Sequence, residues 1–133
     1  MAAAVLFRAQ IAEAIVIRGD DFMYRGQRAQ ALTRYNRALR IDPDLALAAD
    51  RYVFVSMQEH TASALGSSIA VADAFLRRQP NNADVLADRG MCYVLEHRYA
   101  KALSDFEAAA RLSAHTAQYS MAAAVLRRRV GVK

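Results

Sequence analysis

The amino-acid sequence predicts an all-α chain of repeated helix–turn–helix units, with about seven helices in one domain. Three observations carry this expectation. Over its 133 residues the chain is rich in alanine, leucine and arginine and holds only two prolines and five glycines, a composition that favours helix throughout. A spaced set of glycine, aromatic and alanine residues occurs twice, and two proline-led segments of equal length run in parallel. With 55% apolar residues there is ample material for a core, and disorder is not expected.

The N-terminal segment, residues 1–11, begins "MAAAVLFRAQI" and imitates a secretory leader only superficially. Arg8 follows the apolar run and no positively charged stretch precedes it, so the segment is expected to extend the first helix as a mature N-terminus. Val5, Leu6 and Phe7 lie on adjacent sides of that helix, more than one packed face requires.

The first unit spans residues 12–45. From Gly19, the marked residues Phe22, Ala31, Tyr35, Ala38 and Pro43 follow at offsets of 3, 12, 16, 19 and 24. From Gly90 the same offsets reach Tyr93, Ala102, Phe106, Ala109 and Ala114, so the third unit, residues 83–114, lacks only the final proline. A helical hairpin needs a small residue where its two helices touch, an aromatic to fill the space beside that contact, and a break before the next unit.

The second unit, residues 46–82, is worn. Residues 43–60 parallel residues 80–97, both running from proline through Ala-Asp-Arg to Glu-His. Its glycine slot falls on Val53 or Tyr52, which predicts helices set farther apart. Its second half arrives three residues late, and a longer turn is expected at "TASALGSS", where Gly66, Ser67 and Ser68 offer a break and caps. Unit starts then fall at Ala12, Ala46, Ala83 and Ala117, spaced by 34, 37 and 34. Residues 115–133 form half a unit, with Ala124 in the glycine slot, and are expected to close the stack with a polar-faced capping helix.

These residues and their period of about 34 resemble the tetratricopeptide repeat, whose pattern W-x2-L-G-x2-Y, A-x3-F, P is matched most fully in units one and three. The tryptophan position holds Ile15 and Leu86, and the leucine before each glycine is Arg18 or Arg89, arginines expected to snorkel or pair within the chain. The resemblance implies a right-handed superhelical arc and a concave groove lined by the first helix of each unit. Unit positions 2, 5, 9, 12 and 13 of the family point into that groove. Carried over, they are Glu13, Val16, Asp20, Met23 and Tyr24; Asp50, Phe54 (or Val53) and Met57; and Asp84, Ala87, Met91, Val94 and Leu95.

Such a groove is apolar, bears methionines and is edged by carboxylates. It suits a peptide or helix of another protein with apolar anchors and basic residues. The lysine, asparagine and arginine with which some family members clamp an acidic chaperone tail are missing from these positions, so that ligand is not expected. The function expected is therefore that of an adaptor or chaperone, similar in size and repeat number to small chaperones of bacterial secretion systems. Homodimerisation through the apolar N-terminus and the terminal helix is the first alternative.

Anion or nucleic-acid binding is the second alternative. The net charge is +5, and all 18 basic residues but Lys101 and Lys133 are arginine. Arg34, Arg37 and Arg40 share the solvent side of one helix, while Arg77, Arg78 and Arg127 to Arg129 sit at helix ends, where they oppose the helix dipole without a ligand. No phosphate-binding loop or aromatic–basic alternation accompanies them.

No catalytic constellation, cofactor or metal site is expected. His60 and His97 hold the same turn position in successive units, and His115 is not spaced to join either as a metal-ligand pair. Asp20 with Asp21, and Asp84 with Asp88, would need burial to act as acid and base. The single cysteine, Cys92, has no partner for a disulfide and is expected to be a small core residue in a reducing, cytoplasmic setting. Apolar runs are too short to span a bilayer.

Overall fold

The computed structural model describes residues 2–131, so Met1, Val132 and Lys133, the ends of the first and last segments above, lie outside the described residues. Seven helices follow one another: α1 (Ala2–Tyr24), α2 (Arg28–Ile41), α3 (Ala46–Met57), α4 (Ala62–Arg78), α5 (Ala83–Leu95), α6 (Tyr99–Leu112) and α7 (Ala117–Val130). Three of the four unit starts, Ala46, Ala83 and Ala117, are also the first residues of α3, α5 and α7. The helices pair as α1·α2, α3·α4 and α5·α6, and α7 packs on α6. The result is an all-α solenoid.

The turns inside the hairpins share one device. Gly26, His60 and His97 all adopt positive φ, at 75°, 54° and 60°. This left-handed residue ends each first helix, and in hairpins one and three a pair of crossed hydrogen bonds closes the turn: Gly26 N–H to Met23 O and Gln27 N–H to Phe22 O, then His97 N–H to Val94 O and Arg98 N–H to Tyr93 O. The two histidines are turn residues, as their repeated position suggested.

The three extra residues of the second unit lie in a helix rather than in a turn. Helix α4 has 17 residues where α2 and α6 have 14. Three residues are nearly one helical turn, so the insertion keeps the buried face of α4 roughly in phase and leaves the connections almost unchanged. Thr61 caps the lengthened helix, its Oγ1 accepting from Ala64 N–H at 3.1 Å. Gly66 sits mid-helix with open space around it, and Ser68 turns its hydroxyl back to the Ala64 carbonyl at 3.0 Å.

The glycine slots show why two of the units have such regular offsets. A Cβ on Gly19 would lie 2.6 Å from Tyr35 Cε1, and one on Gly90 would lie 2.9 Å from Phe106 Cε2. In the second hairpin the slot is Val53, fully buried; Tyr52 is only half-buried. Counted through the insertion, Ala72 stands where the other hairpins have Tyr35 and Phe106, and Phe75 stands where they have Ala38 and Ala109. Val53, Ala72 and Phe75 are all buried in one cluster. A larger residue in the slot is thus matched by a smaller one opposite, and the aromatic moves one turn along the helix.

The core forms two joined clusters. One gathers Ala12, Val16, Ala31, Tyr35, Ala38, Ala48 and Val55; the other runs from Ala49 and Val53 through Phe75, Val85 and Phe106 to Leu126, and Leu39 touches both. Between successive hairpins α1 meets α3 and α3 meets α5. That close approach places the first helices of the hairpins on the inner side of the arc.

Arg18 and Arg89 share a repeat position but differ in circumstance. Arg18 is exposed, whereas Arg89 grips Asp105 with two hydrogen bonds of 2.7 and 2.8 Å and reaches Asp73 at 2.8 Å. Asp105 is 5% exposed, so this fork neutralises a carboxylate inside the stack. At the chain's far end α7 buries Ala123 and Leu126. Ala124, assigned to the glycine slot, is exposed with Met121 and Val125 among Gln118, Ser120 and Arg127 to Arg129, so the uncovered side of α7 mixes polar and apolar residues.

Candidate functional site

Counting from Ala12, Ala46 and Ala83, unit positions 1, 5, 8 and 12 form one helical stripe and positions 2, 6, 9 and 13 the next. In the structure the first stripe is core. Val16, Ala87, Gly19, Gly90, Val53 and Met57 are buried, and Met23 and Val94 are half-buried against the clusters. This corrects the assignment of Val16 and Met57 to an open groove surface. Val16 is 0% exposed and Met57 8%, because the neighbouring hairpin covers positions 5 and 12.

The second stripe is the accessible one. It comprises Glu13, Ile17, Asp20 and Tyr24 on α1; Leu47, Arg51, Phe54 and Gln58 on α3; Asp84, Asp88, Met91 and Leu95 on α5. Glu13, Tyr24, Phe54, Asp84 and Met91 are exposed, while Asp20 and Leu95 are half-buried. Ile17 (61% exposed), Leu47 (39%) and Val125 on α7 (65%) extend the apolar row. These three were not among the sequence-assigned residues. Taken with Phe54 (49%) and Met91 (42%), they make large apolar side chains recur across the inner helices.

The carboxylates of this surface fall into two groups. Asp20 is satisfied within the chain: Tyr35 Oη donates to its Oδ1 at 2.6 Å and Arg51 Nε at 3.2 Å. Burial, and then the hydrogen bond to Asp20, raise the Tyr35 phenol above its usual value.

Asp50, Asp84 and Asp88 form the second group where α3, α5 and α7 meet. Asp50 occupies a core-stripe position between Ala46 and Val53 and is only half-buried. Its cationic neighbour is Arg51 Nη1 at 3.6 Å, an arginine already shared with Asp20. Asp84 accepts a hydrogen bond from Tyr119 Oη of α7. Asp88 Oδ2 is buried and has no hydrogen-bond partner among the described residues.

Burial pushes the Asp88 carboxyl up to about 9, and the nearby carboxylates of Asp50 and Asp84 add to the rise. A carboxyl group so placed keeps its proton at neutral pH. The Tyr119 phenol is raised by burial first, then by its bond to Asp84 and the charges of all three carboxylates. No group of His, Cys, Asp and Glu among the described residues is arranged to hold a metal ion.

Asp88 as a perturbed group is what reading the sequence missed. A signal existed in Asp50, a carboxylate on a stripe that is otherwise small or apolar. The other members, Asp84 and Asp88 itself, lie 34 and 38 positions further along.

The remaining candidates are occupied structurally. Cys92 is fully buried with its Sγ 3.9 Å from Met57 Sδ, and burial pushes its thiol up to about 12. On the outer side Arg34 lies over the Phe22 ring, Arg78 pairs with Asp44, Arg127 with Glu107, and Arg129 lies over Tyr99. Arg37 and Arg40 remain exposed. No helix among the described residues is long and apolar enough to cross a membrane.

Comparisons with known proteins agree with this architecture. The model of the TPR repeat matches residues 19–48, from the Gly19 slot through the first hairpin into α3. DnaJ homolog subfamily C member 3 of Gallus gallus is 27% identical over 96 residues, which cover 68% of this chain and 18% of that protein. The chain thus spans less than a fifth of that relative's length. The first TPR domain of human RPAP3 has a TM-score of 0.81 at 10% identity, covering 92% of this chain and 94% of that one. The first TPR of Spaghetti (RPAP3), bound to an HSP90 peptide SRMEEVD, gives 0.81 at 11% identity over 92% and 95% of the two chains. The chain therefore has the fold of a tetratricopeptide-repeat domain, three hairpins and a seventh helix, with the family's sequence pattern present in its first hairpin.

Proposed function

We propose that this chain is a non-enzymatic interaction module, an adaptor or chaperone that holds a peptide or helix of another protein on its inner surface. One observation carries the reading: large apolar side chains stand exposed on the 2-6-9-13 stripe of successive inner helices, where Phe54 and Met91 recur at the same unit position. Side chains of this kind, spaced across neighbouring helices, suit an amphipathic helix or an extended segment with regularly placed anchors. The acidic peptide carried by the RPAP3 neighbour is a poor model for the ligand, because the carboxylates of Glu13, Asp50 and Asp84 on the inner helices would oppose its own. The buried, reduced Cys92 supports a cytoplasmic setting.

The test is capture of partners by the immobilised chain, by a Phe54→Glu/Met91→Glu variant and by an Arg37→Glu/Arg40→Glu variant, each first shown to be helical. Partners lost only with the first variant support the groove. Partners lost only with the second support recognition by the outer arginines instead.

A second reading rests on a separate observation. Val5, Leu6 and Phe7 are each about two-thirds exposed on the two turns by which α1 outruns its hairpin. They would serve a homodimer, and light scattering of wild type against Phe7→Glu decides it.

A further inference from the structure

We infer that the open side of α1, at the N-terminal end of the stack, docks a helix of another protein whose apolar face carries an aspartate or glutamate for Arg18. This contact is separate from the inner stripe, and neither reading depends on the other. The repeats themselves show what covers such a side. At unit positions 3 and 10, α3 buries Ala48 and Val55, and α5 buries Val85 and Cys92. The preceding hairpin packs there, with its second helix, α2 or α4, against α3 or α5. The same positions on α1 are Ala14 and Asp21, both exposed. Position 4, buried as Ala49 and Leu86, is the half-buried Ile15 on α1. Among the described residues no hairpin stands before α1, and this side is open.

Charge identifies the occupant. Arg89, at position 7 of the third unit, reaches outward to Asp73 on α4 at 2.8 Å and inward to Asp105. Arg18 holds the same position on α1, but hairpin one has Arg34 where hairpin three has Asp105. Arg18 thus meets a second cation in its own hairpin instead of a carboxylate, and it takes part in none of the ion pairs among the described residues. A covering helix placed as α4 is on α5 supplies the missing carboxylate from outside, as Asp73 does for Arg89. Its apolar residues then cover Ile11, Ala14 and Ile15, which shields the new pair from water. A second copy stacked head to tail does not offer this. The uncovered helix at the other end, α7, carries Arg127 to Arg129 and no acid. The carboxylates beside it are taken, Glu107 by Arg127 and Asp105 by Arg89, so arginine would meet arginine.

The test uses a displayed library of helical peptides with one face randomised, selected on the wild-type chain. Each enriched peptide is then measured on Arg18→Glu and on Phe54→Glu/Met91→Glu, both first shown to be helical by circular dichroism. The expected result is a class of peptides that binds wild type and the groove variant alike, is lost on Arg18→Glu, and carries an aspartate or glutamate among apolar residues. For the best of these, changing the acid to its amide, or Arg18→Gln in the chain, should each cost about ten-fold or more in affinity. The two changes together should cost little more than either alone, which a double-mutant cycle reads. Absence of such a class, or equal binding of the amide peptide, overturns the inference and leaves the groove reading standing. Self-association of wild type in light scattering that Arg18→Glu abolishes would assign this side to a second copy and overturn it as well.

Discussion

Replacing Asp88 by asparagine should change how stability depends on pH, because the Asp88 carboxyl is held up to about 9 in the folded chain. In the unfolded chain an aspartate titrates near ~3.9. Between these values the native state keeps a proton that unfolding releases, so the unfolded state binds fewer protons and stability falls as pH rises. The slope approaches ~1.4 kcal/mol per pH unit, and from about pH 6 to about pH 8 the group removes roughly 2.7 kcal/mol. Its favourable contribution is complete below the unfolded value and gone above the folded one. The asparagine amide cannot ionise, so Asp88→Asn should flatten the curve and be the more stable protein at the alkaline end. For a domain of this size the difference is on the order of 10 °C in Tm. Urea denaturation followed by helical circular dichroism across this range measures both slopes. Parallel curves for wild type and variant would refute a buried Asp88 that keeps its proton through neutral pH.

Other predictions concern the stack itself. Gly90→Ala drives a Cβ against the Phe106 ring and should cost about 1–3 kcal/mol, with part of the loss recovered by adding Phe106→Leu; denaturant midpoints check both. Arg89→Met leaves Asp105 buried without its fork and should cost about 3–5 kcal/mol, while Arg89→Met/Asp105→Leu should cost far less, a difference a double-mutant cycle reads directly. His60→Gly relieves a left-handed residue at an exposed turn and should raise stability by about 0.5–1 kcal/mol in a thermal melt. Tyr35→Phe removes the hydroxyl bonded to Asp20 and should cost about 1 kcal/mol, read as a shift in the urea midpoint.

Much of the fold was legible because its rules are local or strictly periodic. Gly19 with Tyr35 and Gly90 with Phe106 keep one offset, since each pair is one contact between two helices of fixed geometry. The second hairpin defeated that logic twice. Three inserted residues look like a turn at Gly66-Ser67-Ser68, but a helix can absorb nearly one turn of sequence at the cost of a mid-helix glycine, about 1 kcal/mol. The exchange of Val53, Ala72 and Phe75 for glycine, aromatic and alanine is visible only once that insertion is placed in α4.

The groove was legible as a set of helices and blurred as a set of residues. Carrying five family positions onto each helix mixed the covered stripe of Val16 and Met57 with the open stripe of Phe54 and Met91. The two differ by a single step around each helix, and the covering hairpin decides which is open. The state of Asp88 depends first on its burial and then on Asp50 and Asp84, which come from two helices, and no local pattern announces it.

The central claim is that the inner stripe, rather than the outer arginines or the α1 extension, receives the partner. Amide chemical-shift mapping of the labelled chain, titrated with a partner captured by the immobilised chain, tests it most directly. The account predicts shifts concentrated at Leu47, Asp50, Phe54, Asp84 and Met91, with Arg37, Arg40 and Val5 to Phe7 left in place. Shifts centred on the outer cleft of Leu39, Val71 and Ala74, or on Val5 to Phe7, would contradict it.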